Sequence, residues 1–116
     1  MVKVLVAGYG VIGQRLADGV AQQGDMELVG VVDAAPTLSV LTLKDKGMPY
    51  KLYAAFDAAR EKLEAANITV SGTLEEILPE VDIVLDATSP GVGAKNKALY
   101  AKHGKKAVFQ GGEKNE

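Results

Sequence analysis

The 116-residue sequence predicts an α/β domain built on a doubly wound, mostly parallel sheet in three layers, α/β/α, and three observations carry that expectation. Short valine-rich runs such as "VKVLVA" and "MELVGVVD" show little polar alternation, the pattern of strands buried on both faces. Strand-like and helix-like segments take turns along the chain, which is the order of a parallel sheet with crossover helices. The first thirty or so residues already read as strand, glycine turn, helix and strand, one right-handed βαβ unit. At this length one hydrophobic core is expected, a single domain over residues 1–116.

Each element has its own warrant. Val2 to Ala7 is the first strand. From Val11 to Gln23, Ile12, Leu16, Val20 and Ala21 recur at helical spacing until Gly24 and Asp25 stop the run. Met26 to Asp33 is the second buried strand. Thr37 is a candidate N-cap for a helix ended by Gly47 and Pro49. "YKLYA" reads as a short strand, "AFDAAREKLEAAN" as an exposed helix of strong helix formers, and "ITVSG" as another brief strand. Thr73 and Glu76 make a capping box before the short helix "LEEIL". Val81 to Ala87 is a strand followed by the loop "TSPGVGAKN", a helix running to Gly104, and a last strand "KAVFQ". The tail "GGEKNE" reads as a loop cut short.

Composition narrows the function classes. The 47% hydrophobic content is enough for a packed core, and 13 basic against 15 acidic residues, scattered, leave no electrostatic footprint for nucleic acid. With no cysteine, disulfide scaffolds, thiolate metal sites and cysteine nucleophiles drop out of these 116 residues. No metal-ligand spacing and no Ser/His/Asp order is seen. The apolar start is too short for a signal-peptide core, so a cytoplasmic chain without membrane contact is expected.

The stretch "GYGVIG" supplies Gly8, Gly10 and Gly13 at the spacing G-x-G-x-x-G, directly after a strand and at the start of a helix. In a Rossmann fold the first glycine makes the tight turn, the second lets backbone approach a pyrophosphate, and the third lets helix and strand pack closely. The helix start near Val11 offers unpaired N–H groups and a positive dipole end to the same point. Asp33 stands twenty positions past Gly13 at the end of the second strand, where a carboxylate can accept both hydroxyls of an adenosine ribose. The alternative is an ordinary loop aspartate. Thr88 and Ser89 lie on the same carboxyl edge of the sheet, as ligand donors or simply as residues that start a helix. Gln110 and Gly111 end the last strand there, where the glycine pair can equally serve a turn. Asp86 reaches that edge and Asp82 does not. His103, the only histidine, reads as a helix C-terminal residue, and Lys95, Lys97, Lys102, Lys105 and Lys106 as a solvated helix face and its exit.

Three segments together, "VAGYGVIGQRLADGVAQQGDMELVGVV", "VSGTLEEILPEVDIVLDATSPGVGAKNKALY" and "AVFQGGEK", resemble the amino-terminal part of archaeal-type glyceraldehyde-3-phosphate dehydrogenase over essentially the whole chain. The resemblance implies backbone contacts from Val11 and Ile12 to a pyrophosphate, Gly111 near the nicotinamide, and Thr88 and Ser89 lining the cleft between. Members of that family often carry a basic residue where Asp33 stands, so the expected cofactor is NAD, with NADP less favoured. The family's catalytic cysteine and its second domain, with the histidine base, would follow the last strand. The expectation is therefore a dinucleotide-binding domain truncated before its catalytic domain, with no catalytic residue and not itself an enzyme. Two alternatives stay open: half of a dehydrogenase complemented in trans by a separate domain, or a nucleotide-sensing or structural Rossmann module. An exposed sheet edge or domain face, with Val108 and Phe109 on the last strand, predicts either a homo-oligomer or a domain of marginal stability.

Overall fold

Among the described residues six parallel strands, β1 (Val2–Ala7), β2 (Met26–Asp33), β3 (Leu52–Ala54), β4 (Gly72–Thr73), β5 (Ile83–Asp86) and β6 (Lys106–Phe109), form one sheet in the order β4-β3-β2-β1-β5-β6. The computed structural model describes residues 2–47, 50–88 and 90–109. In chain order the elements are β1 (Val2–Ala7), α1 (Val11–Ala21), β2 (Met26–Asp33), α2 (Leu38–Asp45), β3 (Leu52–Ala54), α3 (Asp57–Ala65), β4 (Gly72–Thr73), α4 (Leu74–Ile77) with a 3-10 turn Leu78–Glu80, β5 (Ile83–Asp86), α5 (Pro90–Lys102) and β6 (Lys106–Phe109). From β1 the chain winds outward through β2, β3 and β4, then returns to the other side of β1 as β5. That reversal creates a crevice at the carboxyl ends of β1 and β5, where open α/β sheets bind ligands.

The valine-rich strands are buried on both faces because each face carries its own core. Val6 of β1, Val31 of β2 and Leu52 and Ala54 of β3 pack with Ala17 of α1, Val40 and Leu43 of α2 and Ala59 and Leu63 of α3. Their neighbours in the strands, Leu5, Ala7, Val32 and Tyr53, point the other way and pack with Leu74 and Ile77 of α4, Leu78, Val81 and Tyr100 of α5. This is the three-layer α/β/α arrangement, and the period-two exchange between cores is why the strands show no polar face. The sheet is a Rossmann-type doubly wound fold.

Three local expectations are revised. Of "ITVSG" only Gly72 lies in a strand, which runs on to Thr73, while Ile68 and Val70 are buried in the first core without joining the ladder. The strand expected over Val81 to Ala87 pairs from Ile83 to Asp86. Most of the supposed loop "TSPGVGAKN" is helical, because Pro90 stands at the first position of α5, where its missing N–H costs nothing. The Thr37 cap and the Thr73–Glu76 capping box are both present: Thr37 accepts from Val40 N, and Thr73 and Glu76 bond reciprocally. No helix among the described residues is long and apolar enough to cross a membrane.

Candidate functional site

A cleft of about 210 Å³ opens at the reversal point, lined by Gly8, Tyr9, Gly10, Val32, Asp33, Ala34, Ala55, Ala87, Thr88 and Asn96. Its floor is the turn after β1. Gly8 N donates to Val32 O at 2.7 Å, and Ala87 N to Ala7 O at 2.7 Å, so the turn is tied to β2 on one side and to the end of β5 on the other. Gly8 has φ +90°, and a Cβ there would lie 2.8 Å from Thr88 N. A side chain is excluded both by the backbone conformation and by the opposite wall.

The three motif glycines separate cleanly. A Cβ at Gly13 would sit 1.8 Å from the Gly8 carbonyl oxygen, so the absence of a side chain is what lets α1 approach the turn. A Cβ at Gly10 would meet nothing within 4 Å. Among the described residues no contact requires a glycine at position 10, which lines the cleft. Gly10 is also the N-cap of α1, with no side-chain cap bond, and the first turn of α1 holds no acidic residue. The first-turn N–H groups around Val11, Ile12 and Gly13 are therefore left for solvent or an anion.

Asp33 forms one wall. Its Oδ2 accepts from Tyr9 N at 3.0 Å and its Oδ1 from Ala34 N at 2.7 Å. Both bonds fix the carboxylate in orientation, and each oxygen keeps lone-pair capacity for a further donor. On the opposite wall Thr88 is half-buried, and its N–H and hydroxyl both donate to Asp86 Oδ1, the N–H at 2.9 Å. Asp86 is wholly buried at the end of β5. Its Oδ2 accepts from Tyr100 Oη at 2.6 Å and Asn96 Nδ2 at 3.3 Å. Burial, reinforced by the Asp86 carboxylate, pushes the Tyr100 phenol far above its ordinary range, so it stays a proton donor.

Of the expected site residues, the structure brings Gly8, Gly10, Asp33 and Thr88 to one cleft, with Gly13 and the backbone of Val11 and Ile12 directly behind Gly10. Ser89, Gln110 and Gly111 lie outside the described residues. Tyr9 and Asn96 were missed. Asn96 and Tyr100 are one helical turn apart and follow an Asp-ended strand, a spacing that could have flagged them. His103 lies just past α5, its Nε2 3.5 Å from Glu75 Oε2, and Glu75 also meets Lys102 Nζ at 3.3 Å. Hydrogen bonding and charge from Lys102, then His103, hold the Glu75 carboxyl below its usual range. None of these three residues lines the cleft.

Known proteins share this design. The family described as "Dihydrodipicolinate reductase, N-terminus" matches residues 2–111. A glyceraldehyde-3-phosphate dehydrogenase of Thermococcus kodakarensis is 49% identical over 99% of this chain, and one of Pyrococcus abyssi is 51% identical over 97%. The chain spans about a third of the length of these relatives, 34% and 33% respectively. Among solved structures, apo saccharopine dehydrogenase from Saccharomyces cerevisiae superposes with a TM-score of 0.58 at 18% identity, covering 94% of this chain and 21% of that one, a likeness of fold. The expectation that the chain is not an enzyme is overturned by the dehydrogenase relatives, which carry an enzyme's name and are similar to it from end to end. Its physical ground, the lack of cysteine, concerned only 116 residues, and the remaining two thirds of such proteins lie outside them.

Proposed function

Since the chain belongs to the family of dihydrodipicolinate reductase amino-terminal domains, we propose that its cleft binds a nicotinamide dinucleotide, NAD in preference to NADP, as the cofactor-holding part of a glyceraldehyde-3-phosphate dehydrogenase-like oxidoreductase. The observation that carries this reading is the open start of α1 at Gly10: clear space where a side chain would stand, no side-chain cap, and a carboxylate at its border. A pyrophosphate fits there on backbone N–H groups and the helix dipole, with no basic side chain needed.

Backbone N–H groups at the start of α1 would hold the pyrophosphate, and the remaining lone pairs of Asp33 would accept the two hydroxyls of the adenosine ribose. Thr88 and Asn96 would line the same bound ligand from the wall after β5. The bound dinucleotide supplies a hydride acceptor or donor, and the residues of this chain hold and orient it. A 2'-phosphate would place like charge beside Asp33, and at a screened edge we expect a preference for NAD of about ten-fold, ~1.4 kcal/mol.

The dehydrogenase names of the relatives support aldehyde oxidation by the whole protein, with this segment as its cofactor platform. Association between copies would use β6, which among the described residues is an edge strand paired to β5, with Val108 42% exposed. Calorimetric titration with NAD, NADP and ADP tests the cofactor reading, with Asp33→Ala as control. NAD should bind best, and the substitution should weaken NAD and narrow its lead over NADP. Equal binding of NAD and NADP by the unaltered chain would remove the role given to Asp33, and no binding of any of the three would remove the reading.

A further inference from the structure

Strands β5 and β6 are covered on one face and open on the other. Val84 and Ala107, neighbours in the parallel register, lie in the second core with Leu99 and Tyr100 of α5. Leu85 and Val108, the next register pair, point the opposite way, where Leu85 is only partly buried against the first core and Val108 is exposed. On that side α1, α2 and α3 pack over β1, β2 and β3, and among the described residues no helix lies over β5 and β6. A parallel sheet ordinarily has both faces covered, so this quarter of the sheet calls for a further outer layer.

Between α1 and the open face runs an apolar groove of about 250 Å³, lined by Arg15, Leu16, Gly19, Val20, Met26 and Leu85. A Cβ at Gly19 would meet nothing within 4 Å, so the middle of α1 offers bare backbone there. Arg15 is exposed and joins none of the ion pairs among the described residues. Handedness limits where a cover can come from. Helix α1, between β1 and β2, lies on the first-core side, and α5, whose crossover runs the other way along the sheet, lies on the second-core side. A further parallel crossover outward from β6 would put its helix on the second-core side again. The open face is therefore reached by a helix outside the crossover series, and the relatives, about three times as long as this chain, have the polypeptide to supply one.

We propose that the groove between α1 and the β5–β6 face receives an amphipathic helix from the polypeptide that lies beyond these 116 residues in proteins of the relatives' length. Its apolar stripe covers Leu16, Leu85 and Val108, and a carboxylate on its flank meets Arg15. Along the groove Arg15 to Val20 spans about 8 Å, so roughly two turns of helix fill it. The inference is independent of the cofactor reading, which concerns the carboxyl edge of the sheet.

The test uses residues 1–116 alone and joined to the remaining two thirds of the Thermococcus kodakarensis relative, with hydroxyl-radical footprinting read at Met26, Leu85 and Val108. In the joined protein all three should be modified several-fold more slowly than in residues 1–116. Gly19→Trp places a ring in the groove. It should leave the thermal midpoint of residues 1–116 unchanged, lower that of the joined protein by about 5 °C, and restore modification at Leu85 and Val108. Equal modification with and without the added chain would overturn the proposal. So would protection that persists in Gly19→Trp, or protection that appears in residues 1–116 alone as concentration rises, the mark of a second copy. If the joined protein fails to fold, the relative itself, compared as its full chain and as the segment aligned with residues 1–116, decides by the same criteria. NAD titration of the same samples keeps the two readings apart: protection without NAD binding removes the cofactor reading alone, and NAD binding without protection removes this one.

Discussion

Helices α1 and α4 both begin at the carboxyl end of a strand, and their starts are finished in opposite ways. Thr73 caps α4 and exchanges bonds with Glu76, and Glu75 and Glu76 place negative charge in the first turn. At α1 the cap is a glycine without a side-chain bond, and the first turn carries no acid. Helix α2 has its Thr37 cap and α3 has Asp57 in its first turn, so among α1 to α4 only α1 leaves both needs unmet. It is fastened along its side instead: Gln14 Nε2 donates to Ser39 Oγ at 2.8 Å and Tyr50 Oη to Asp18 Oδ1 at 2.5 Å. The start of α4 is satisfied within the protein, while the start of α1 leaves its N–H groups open and the helix is held along its side.

That contrast can be broken most severely at Gly13. Replacing it by alanine forces a methyl group into the Gly8 carbonyl, and we expect a loss of about 3 kcal/mol or more, read as a lower midpoint in urea unfolding. A variant of ordinary stability would show that the close approach of α1 to its turn is unnecessary. Gly10→Val should do the reverse. A Cβ there meets no described atom within 4 Å, so stability should change by about 1 kcal/mol at most, while NAD and ADP affinity should fall about 100-fold, ~2.7 kcal/mol. Calorimetry and thermal unfolding on the same sample measure both, and intact ligand binding would dissolve the distinction between the two helix starts.

Thr73→Ala sharpens the comparison from the other side. It should cost about 1 kcal/mol of stability with no change in NAD affinity, since α4 is capped for itself. The smallest effect belongs to the lateral fastening of α1. The hydrogen bond to Asp18, followed by burial, raises the Tyr50 phenol from its ordinary 10 to about 12. A raised value in the folded state means this contribution is complete below pH 10 and is lost as pH climbs toward 12. Because the pair is exposed, the slope should be slight. Denaturant titrations of the unaltered chain and Tyr50→Phe at pH 9 and pH 11.5 should converge at the higher pH, and a gap that stays constant would count against the bond.

The parts of this design legible in the sequence are those set by local chemistry. The strands Val2–Ala7 and Met26–Asp33 are bounded by glycine and aspartate, and the capping box needs only Thr73 and Glu76 at their spacing. What escaped depends on neighbours distant in sequence. Ile68 and Val70 have a strand's composition, but the first core buries them without a pairing partner. The glycines of "TSPGVGAKN" suggest a loop, whereas the segment from Pro90 is helical and the body of that helix is fastened to the buried Asp86 through Asn96 and Tyr100. Asp86 itself could be placed at the right edge of the sheet, but its burial, and hence its role as an organiser of Thr88, Asn96 and Tyr100, follows only from the packing of α5 over β5.

The central strand β1 has a consequence for synthesis. It pairs with β2 after a short crossover, but its other edge waits for β5, with Val4 facing Ile83 in the final register. At roughly 5–20 residues per second, a ribosome needs about 4–16 s to deliver that partner. Through this interval a strand whose last four residues are buried in the finished sheet has one row of backbone donors and acceptors unclaimed, an invitation to pair with a neighbouring nascent chain. The growing polypeptide is therefore most in need of a chaperone between the completion of β2 and the arrival of β5.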